Sequence, residues 1–167
     1  MNSIYENTRK IYKPIKVRIL LIGESPPEGE TFFYNKNSLL FDYTKKAFQS
    51  ALSRSFLDQA FLDYLKDSGV YLDDLCLTPI NKVEKTKRKK AHRENIIPFS
   101  EKIKNYNPEI LISVIKGIHK SLRKSIELAG LGKSPYYSLP FPSFGNQQKY
   151  VKELVPIIQN LSAKYFS

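Results

Sequence analysis

The sequence predicts an α/β domain, a three-layer sandwich with helices on both faces of a central, mostly parallel four-stranded sheet. Three observations carry this. Four short apolar or aromatic runs are spaced along the chain and bounded by Gly or Pro. The stretches between them place apolar residues at helical spacing. A chain of 167 residues with 41% hydrophobic content, including ten Phe and eleven Tyr, can bury a real core without disulfides or metal.

The elements follow in order. Residues 1–14 read as an N-terminal extension of a single domain spanning 1–167. Val17 to Ile22 is β-branched and nearly all apolar, then stops at Gly23 and Pro26-Pro27, as a buried parallel strand would. From Ser38 the spacing of Leu40, Phe41, Ala47, Phe48, Ala51 and Leu52 predicts a helix. Ser55 with Asp58 gives a start for another, in which Phe56, Leu57, Ala60, Phe61, Tyr64 and Leu65 recur until Gly69 closes it. Val70 to Leu77 reads as the second strand, ended by Pro79, and a basic loop follows. A helix from about Glu94 to Tyr106 has Pro98 in its first turn, where a missing N–H costs little. Ile110 to Ile115 is the third strand. Gly117 opens a helix burying Ile118, Leu122 and Ile126 and closed by Gly130. Tyr136 to Leu139 is a short fourth strand. A last amphipathic helix carries Tyr150, Val151, Leu154, Val155, Ile158 and Leu161, kinked at Pro156 if continuous. In such a fold the binding crevice lies at the carboxyl ends of the strands.

Bulk properties narrow the function. Net charge is +11, which argues for a polyanionic partner such as nucleic acid. From Lys82 to Arg93, seven Lys or Arg stand against Glu84, so this stretch carries +6 of the +11. Asp58 to Asp74 holds five Asp against Lys66, which makes the chain electrically polar. The single Cys76 cannot form an internal disulfide, and no Cys/His set exists to bind zinc or an iron–sulfur cluster. No metal or other cofactor is expected. The N-terminus lacks an apolar signal region and no apolar run is long enough to span a bilayer, so a cytoplasmic protein without membrane contact is expected; a monomer is expected as well.

The strand end Gly23-Glu24-Ser25-Pro26-Pro27, followed by Thr31-Phe32-Phe33-Tyr34, resembles the first motif of the uracil-DNA glycosylase superfamily. Its closest version is that of family 4, Gly-Glu-Ala-Pro-Gly. Asn107 to Gly117 is similar to the superfamily's Lys-Pro-x-Val-Ile-hydrophobic-Leu-Gly segment. Phe141-Pro142-Ser143-Phe144-Gly145-Asn146 resembles its second motif, His-Pro-Ser, ahead of the C-terminal helix. The resemblance implies a uracil-DNA glycosylase-like fold and a hydrolase of DNA repair by base excision. Such a protein binds duplex or single-stranded DNA, flips out a base and cleaves its N-glycosidic bond.

The chemistry fits those residues. Glycosidic hydrolysis builds positive charge on the sugar and negative charge on the departing base, so a carboxylate near C1′ both stabilises the sugar and orients water. Glu24, with Ser25 beside it, is the catalytic candidate. The alternative is a carboxylate that bonds neighbouring backbone N–H groups. Gly23, Phe33, Asp74 and Phe141 are the base-binding candidates. Phe33, with Phe32 as second choice, offers a π-face to a flipped base; the alternative is core packing. Lys85, Lys87, Arg88, Lys89 and Lys90 supply sequence-independent phosphate contacts, or form a solvated loop or a localisation signal. In the family, the Pro142-Ser143 turn grips phosphate, with Asn146 just beyond it. Phe144 fills the gap left in the duplex, unless it folds into the core.

Three departures qualify the resemblance. Phe141 replaces the motif His that donates to the base oxygen, a loss of roughly 3–4 kcal/mol in transition-state stabilisation. His119 and Lys116 are substitute candidates. Asp74 stands where the family has a base-reading Asn, with Asp73 and Asn81 as the alternatives under a shifted alignment. Ionised Asp only accepts hydrogen bonds, so it favours an amino or N–H edge over uracil O4. The alternative is that Asp73-Asp74 is a solvated loop pair. Finally, the Cys ligands of the family 4 iron–sulfur cluster are absent. Two rival readings therefore stand: a non-catalytic nucleic-acid-binding relative, and a hydrolase or binding protein for free nucleosides or nucleotides.

Overall fold

The computed structural model describes residues 4–167. Among them are seven α-helices: α1 (Ile4–Ile11), α2 (Leu39–Leu52), α3 (Asp58–Asp67), α4 (Lys85–Glu94), α5 (Ile96–Tyr106), α6 (His119–Leu128) and α7 (Gln147–Tyr165). Four strands alternate with them: β1 (Ile19–Gly23), β2 (Val70–Asp74), β3 (Ile110–Ser113) and β4 (Tyr136–Ser138). They form one sheet in the order β2-β1-β3-β4, with every pairing parallel. Parallel neighbours need crossover connections, and each crossover here contains at least one helix.

β1, β2 and β3 are buried at every position, which requires both faces of the sheet to be covered. The cover is a pairing of α2 with α7 and a pairing of α5 with α6. Ser38 caps α2 by accepting from the Phe41 N–H, and Phe41, Ala47 and Phe48 turn inward. Thr44 and Tyr150 share a 2.8 Å hydrogen bond where α2 meets α7, so the two hydroxyls buried there are satisfied. α7 runs through Pro156 as one continuous helix.

Several expectations need correction. β2 stops at Asp74, because the chain turns there to lead Leu75 and Cys76 past the end of β1. The cap position of α3 is Leu57, not Ser55. The basic stretch is helix α4 rather than a loop. Its segment has almost no apolar periodicity, so it gives no helical signal, yet it is helical and abuts α5 through Asn95. The extension also has structure: α1 inserts Arg9, 1% exposed, beneath the end of β2. No described helix is long and apolar enough to cross a membrane.

Candidate active site

The parallel register brings all four strand ends to one edge of the sheet. Gly23 pairs with Asp74 on one side, and Ile22 with Ser113 on the other. Backbone pairing continues past the strands: Leu75 and Cys76 donate to the carbonyls of Gly23 and Glu24 (3.0 and 2.9 Å), and Leu139 donates to Ser113 (2.9 Å). With adjacent strands about 4.8 Å apart, the chain leaving β4 toward Phe141 starts roughly 10 Å from Glu24.

Glu24, only 9% exposed, is held by α4. Its Oε1 accepts from Arg88 Nε and His92 Nε2, both at 2.7 Å, and its Oε2 accepts from Arg88 Nη2. Arg88 and His92 lie one helical turn apart, so both reach the same carboxylate. Burial pushes the Glu24 carboxyl up, but the bonds from His92 and Arg88 outweigh it and hold the group below its ordinary value. An ionised carboxylate only accepts, so the His92 nitrogen facing it carries the proton. Ser25 Oγ accepts from the Ile80 N–H at 3.3 Å, which ties the turn after β1 to the segment ahead of α4.

Asp73 and Asp74 are buried strand residues, not a solvated loop pair. Arg9 Nη2 donates to Asp74 Oδ2 at 2.7 Å, and Arg9 Nη1 lies 3.2 Å from Asp73 Oδ1 and 3.0 Å from the Leu72 carbonyl. Although burial opposes its charge, Asp74 and Asp73 hold the Arg9 pKa above its ordinary value. Burial pushes the Asp74 carboxyl up against the pull of Arg9. Asp73 has two further partners, Lys102 at 3.1 Å and the Tyr106 hydroxyl at 2.7 Å. The other oxygen of Asp74 lies over Gly23, where an added Cβ would come within 2.2 Å of it. Glycine is therefore required at the end of β1 by this close approach and not by its backbone angles.

The aromatic candidates separate. Phe33 is 3% exposed and meets Tyr34 and Phe41 edge-on, so its ring packs in the core and shows almost no free face. Phe32 is equally buried, beside Tyr5 and Tyr34. Phe141 is half-buried, with Pro142 buried behind it. The Ser143 N–H donates to the Phe141 carbonyl at 2.8 Å and the Asn146 N–H to the Ser143 carbonyl at 3.0 Å, forming a tight turn. Phe144 at its tip is 100% exposed and has φ of 50°, a left-handed backbone that a bulky L-residue adopts at a cost. It does not fold into the core.

Lys85, Lys87, Lys89 and Lys90 are exposed on α4, whose inner side carries Arg88 and His92. Of these lysines, Lys90 pairs with Glu94 at 3.6 Å. His119 and Lys116 are exposed beyond β3, with His119 Nδ1 3.1 Å from the Tyr136 hydroxyl, and neither is among the partners of Glu24. Asn81 is exposed on the approach to α4. Cys76 is buried beside Glu24, and burial first, then Glu24 and Asp74, push its thiol up to about 12. One such thiol does not fit an iron–sulfur cluster, and no group of three or more metal-ligating side chains occurs among the described residues.

Arg9 and His92 are the residues that sequence reasoning missed. The i, i+4 spacing of Arg88 and His92 was a usable signal once the segment is taken as helical. The link from Arg9 to Asp74, across 65 positions, has no sequence signal.

The protein is thus a parallel α/β domain whose sheet carries, at its carboxyl edge, a carboxylate–imidazole pair beside a lysine-rich helix. The chain matches the family model of the uracil DNA glycosylase superfamily over residues 10–162, and it belongs to that superfamily. No curated protein matches the chain.

Proposed function

We propose that the protein is a DNA glycosylase-like hydrolase of base excision repair. It binds duplex or single-stranded DNA as a monomer, extrudes one nucleotide toward the end of β1 and hydrolyses the N-glycosidic bond. The observation that carries this reading is Glu24, ionised and 2.7 Å from His92, at the strand end that opens onto a basic helix.

In this reading the Glu24 carboxylate faces the sugar, stabilises its developing positive charge and orients the attacking water. Arg88, one-third exposed, exchanges Glu24 for a phosphate as the strand docks. His92 keeps its N–H on Glu24 and positions that carboxylate toward the sugar. Gly23, Asp74 and Phe141 line the base side; Phe141 presents the open ring, and Phe33 stays in the core behind it. Asp74, as an acceptor, favours a base edge with an amino or N–H group. Lys85, Lys87, Lys89 and Lys90 bind phosphates, the Pro142-Ser143 turn and Asn146 grip the strand, and Phe144 enters the stack.

The test is an oligonucleotide panel carrying uracil, hypoxanthine, xanthine or a mismatch, incubated with protein and then cleaved with alkali at abasic sites. The parent should produce strand breaks on at least one of them. E24Q should produce none while its DNA affinity stays within about twofold, since phosphate contacts dominate affinity. An E24Q protein as active as the parent removes Glu24 from the mechanism. The bidentate hold of Arg88 on Glu24 favours a second reading, a DNA-binding relative without catalysis, which predicts binding but no breaks on any substrate.

A further inference from the structure

Next to Glu24 lies a cleft of about 340 Å³, of whose four cations the reading above uses Lys89 alone. Lys89, His92 and Arg93 of α4 form one wall, and Lys120, Ser121 and Lys124 of α6 form the other. Lys89 and Arg93 are one turn apart, as are Lys120 and Lys124, so each helix turns two cations toward the same space. No carboxylate lines it. Three cations nearby have acidic partners, Arg88 with Glu24, Lys90 with Glu94 and Lys82 with Glu28. Lys89, Arg93, Lys120 and Lys124 form no salt bridge among the described residues. Four like charges around one small cleft repel each other, and an anion between them removes that cost.

The backbone adds to this. Lys120 and Ser121 sit in the first turn of α6, a helix of 10 residues whose start has no side-chain cap. The positive end of its dipole therefore lies beside the four cations, although the His119 N–H is already taken by the Lys116 carbonyl. The volume is at the lower end of small-ligand pockets, enough for a phosphate with its attached sugar.

We propose that this cleft is a phosphate-monoester site, which takes the terminal phosphate of a nucleic-acid strand or of a nucleoside monophosphate beside Glu24. Charge selects the monoester: it carries about −1.5 to −2 at neutral pH against −1 for a phosphodiester. Shape agrees, because a chain end enters a concave cleft whereas an internal phosphate must lead the chain out again. His92 touches both sites, so a phosphate held here places its nucleotide next to the carboxylate. The binding itself needs no base release, so it stands or falls separately from the glycosylase reading.

The experiment is calorimetric titration at constant ionic strength, set with chloride. The titrants are inorganic phosphate, a deoxynucleoside and its 5′-monophosphate, and a short oligonucleotide with and without a terminal phosphate. The proteins are the parent, K120A/K124A, and the remote control K149A/K152A on α7. Inorganic phosphate and the monophosphate should bind the parent and the control, and bind K120A/K124A at least about tenfold more weakly. The terminal phosphate should raise oligonucleotide affinity several-fold in the parent and not in K120A/K124A. A gain with the monophosphate and none with the oligonucleotide assigns the site to free nucleotides. No preference for either phosphorylated ligand over its hydroxyl counterpart, or an equal loss in the control, overturns the proposal. Matching thermal melts of the three proteins exclude unfolding as the cause.

Discussion

Replacing Arg9 with Ala tests whether the N-terminal helix is part of the site. Arg9 is 1% exposed and donates to Asp74, while also lying beside Asp73 and the Leu72 carbonyl. Asp73 would keep Lys102 and Tyr106, but Arg9 is the one cation within ion-pair distance of Asp74 among the described residues. Removing one partner of a buried pair costs about 3–5 kcal/mol, because the other charge stays buried and uncompensated. At about 2–4 °C per kcal/mol for a domain of this size, R9A should melt roughly 6–20 °C below the parent. Thermal and urea unfolding followed by circular dichroism measure this. R9M/D74N, which removes both charges, should recover most of the loss, since an apolar replacement of an ion pair is often near neutral. Asp74 without its cation protonates more readily, so the R9A deficit should shrink as pH falls. A loss under about 1 kcal/mol, or a double variant as unstable as R9A, would show that the buried pair does not determine the stability of this edge.

Other outcomes follow from the same structure. F144G should raise stability by about 1 kcal/mol, since glycine accepts the left-handed backbone freely, and should weaken binding to DNA with an extrudable base; urea melts and fluorescence anisotropy would show the two opposite effects. Glu109, bonded to Lys164, Tyr165 and Arg18, has a carboxyl lowered to about 2, first by the bond from Lys164. A depressed carboxyl stabilises the fold above its unfolded value of about 4.3 and loses that contribution as pH falls toward the folded value. The melting temperatures of parent and E109Q should therefore differ at pH 7 and converge near pH 2. Replacing Lys87, Lys89 and Lys90 together by Ala should reduce the slope of log affinity against log salt by about 2–3, at roughly 0.7–0.9 for each phosphate that is no longer neutralised. An unchanged slope would place the DNA on another face.

The parts legible in the sequence were those fixed by local apolar pattern. Ile19 to Ile22 and Ile110 to Ile112 announce buried strands because both faces of a parallel sheet are covered, and Phe41, Ala47 and Phe48 announce the inner face of α2 for a similar reason. α4 stayed hidden because its inward residues are Arg88 and His92, which bury against a carboxylate instead of an apolar core. The same physics concealed Arg9. Polar burial depends on a partner far along the chain, and neither Glu24 to His92 nor Arg9 to Asp74 leaves a periodic trace. Phe144 was ambiguous for the opposite reason, since an apolar ring ordinarily points inward and only the turn geometry shows that this one does not.

The motif positions and the hidden ion pairs together form one arrangement. Gly23 is glycine because Asp74 leans over it, and Asp74 is fixed there by Arg9. Glu24 follows at once and is fixed by Arg88 and His92. Two acidic side chains at neighbouring strand ends are thus each neutralised by a cation from a helix outside the strand pattern, one from α1 and one from α4. The two clamps differ in access. Arg9 is sealed in, while the Arg88 side chain is 34% exposed on a helix crowded with lysines. In the proposed reading a polyanion docked on α4 competes for Arg88 and not for Arg9, so it would change the charge felt by Glu24 and leave Asp74 in place. That asymmetry makes Glu24 the responsive group of the pair and Asp74 the fixed one.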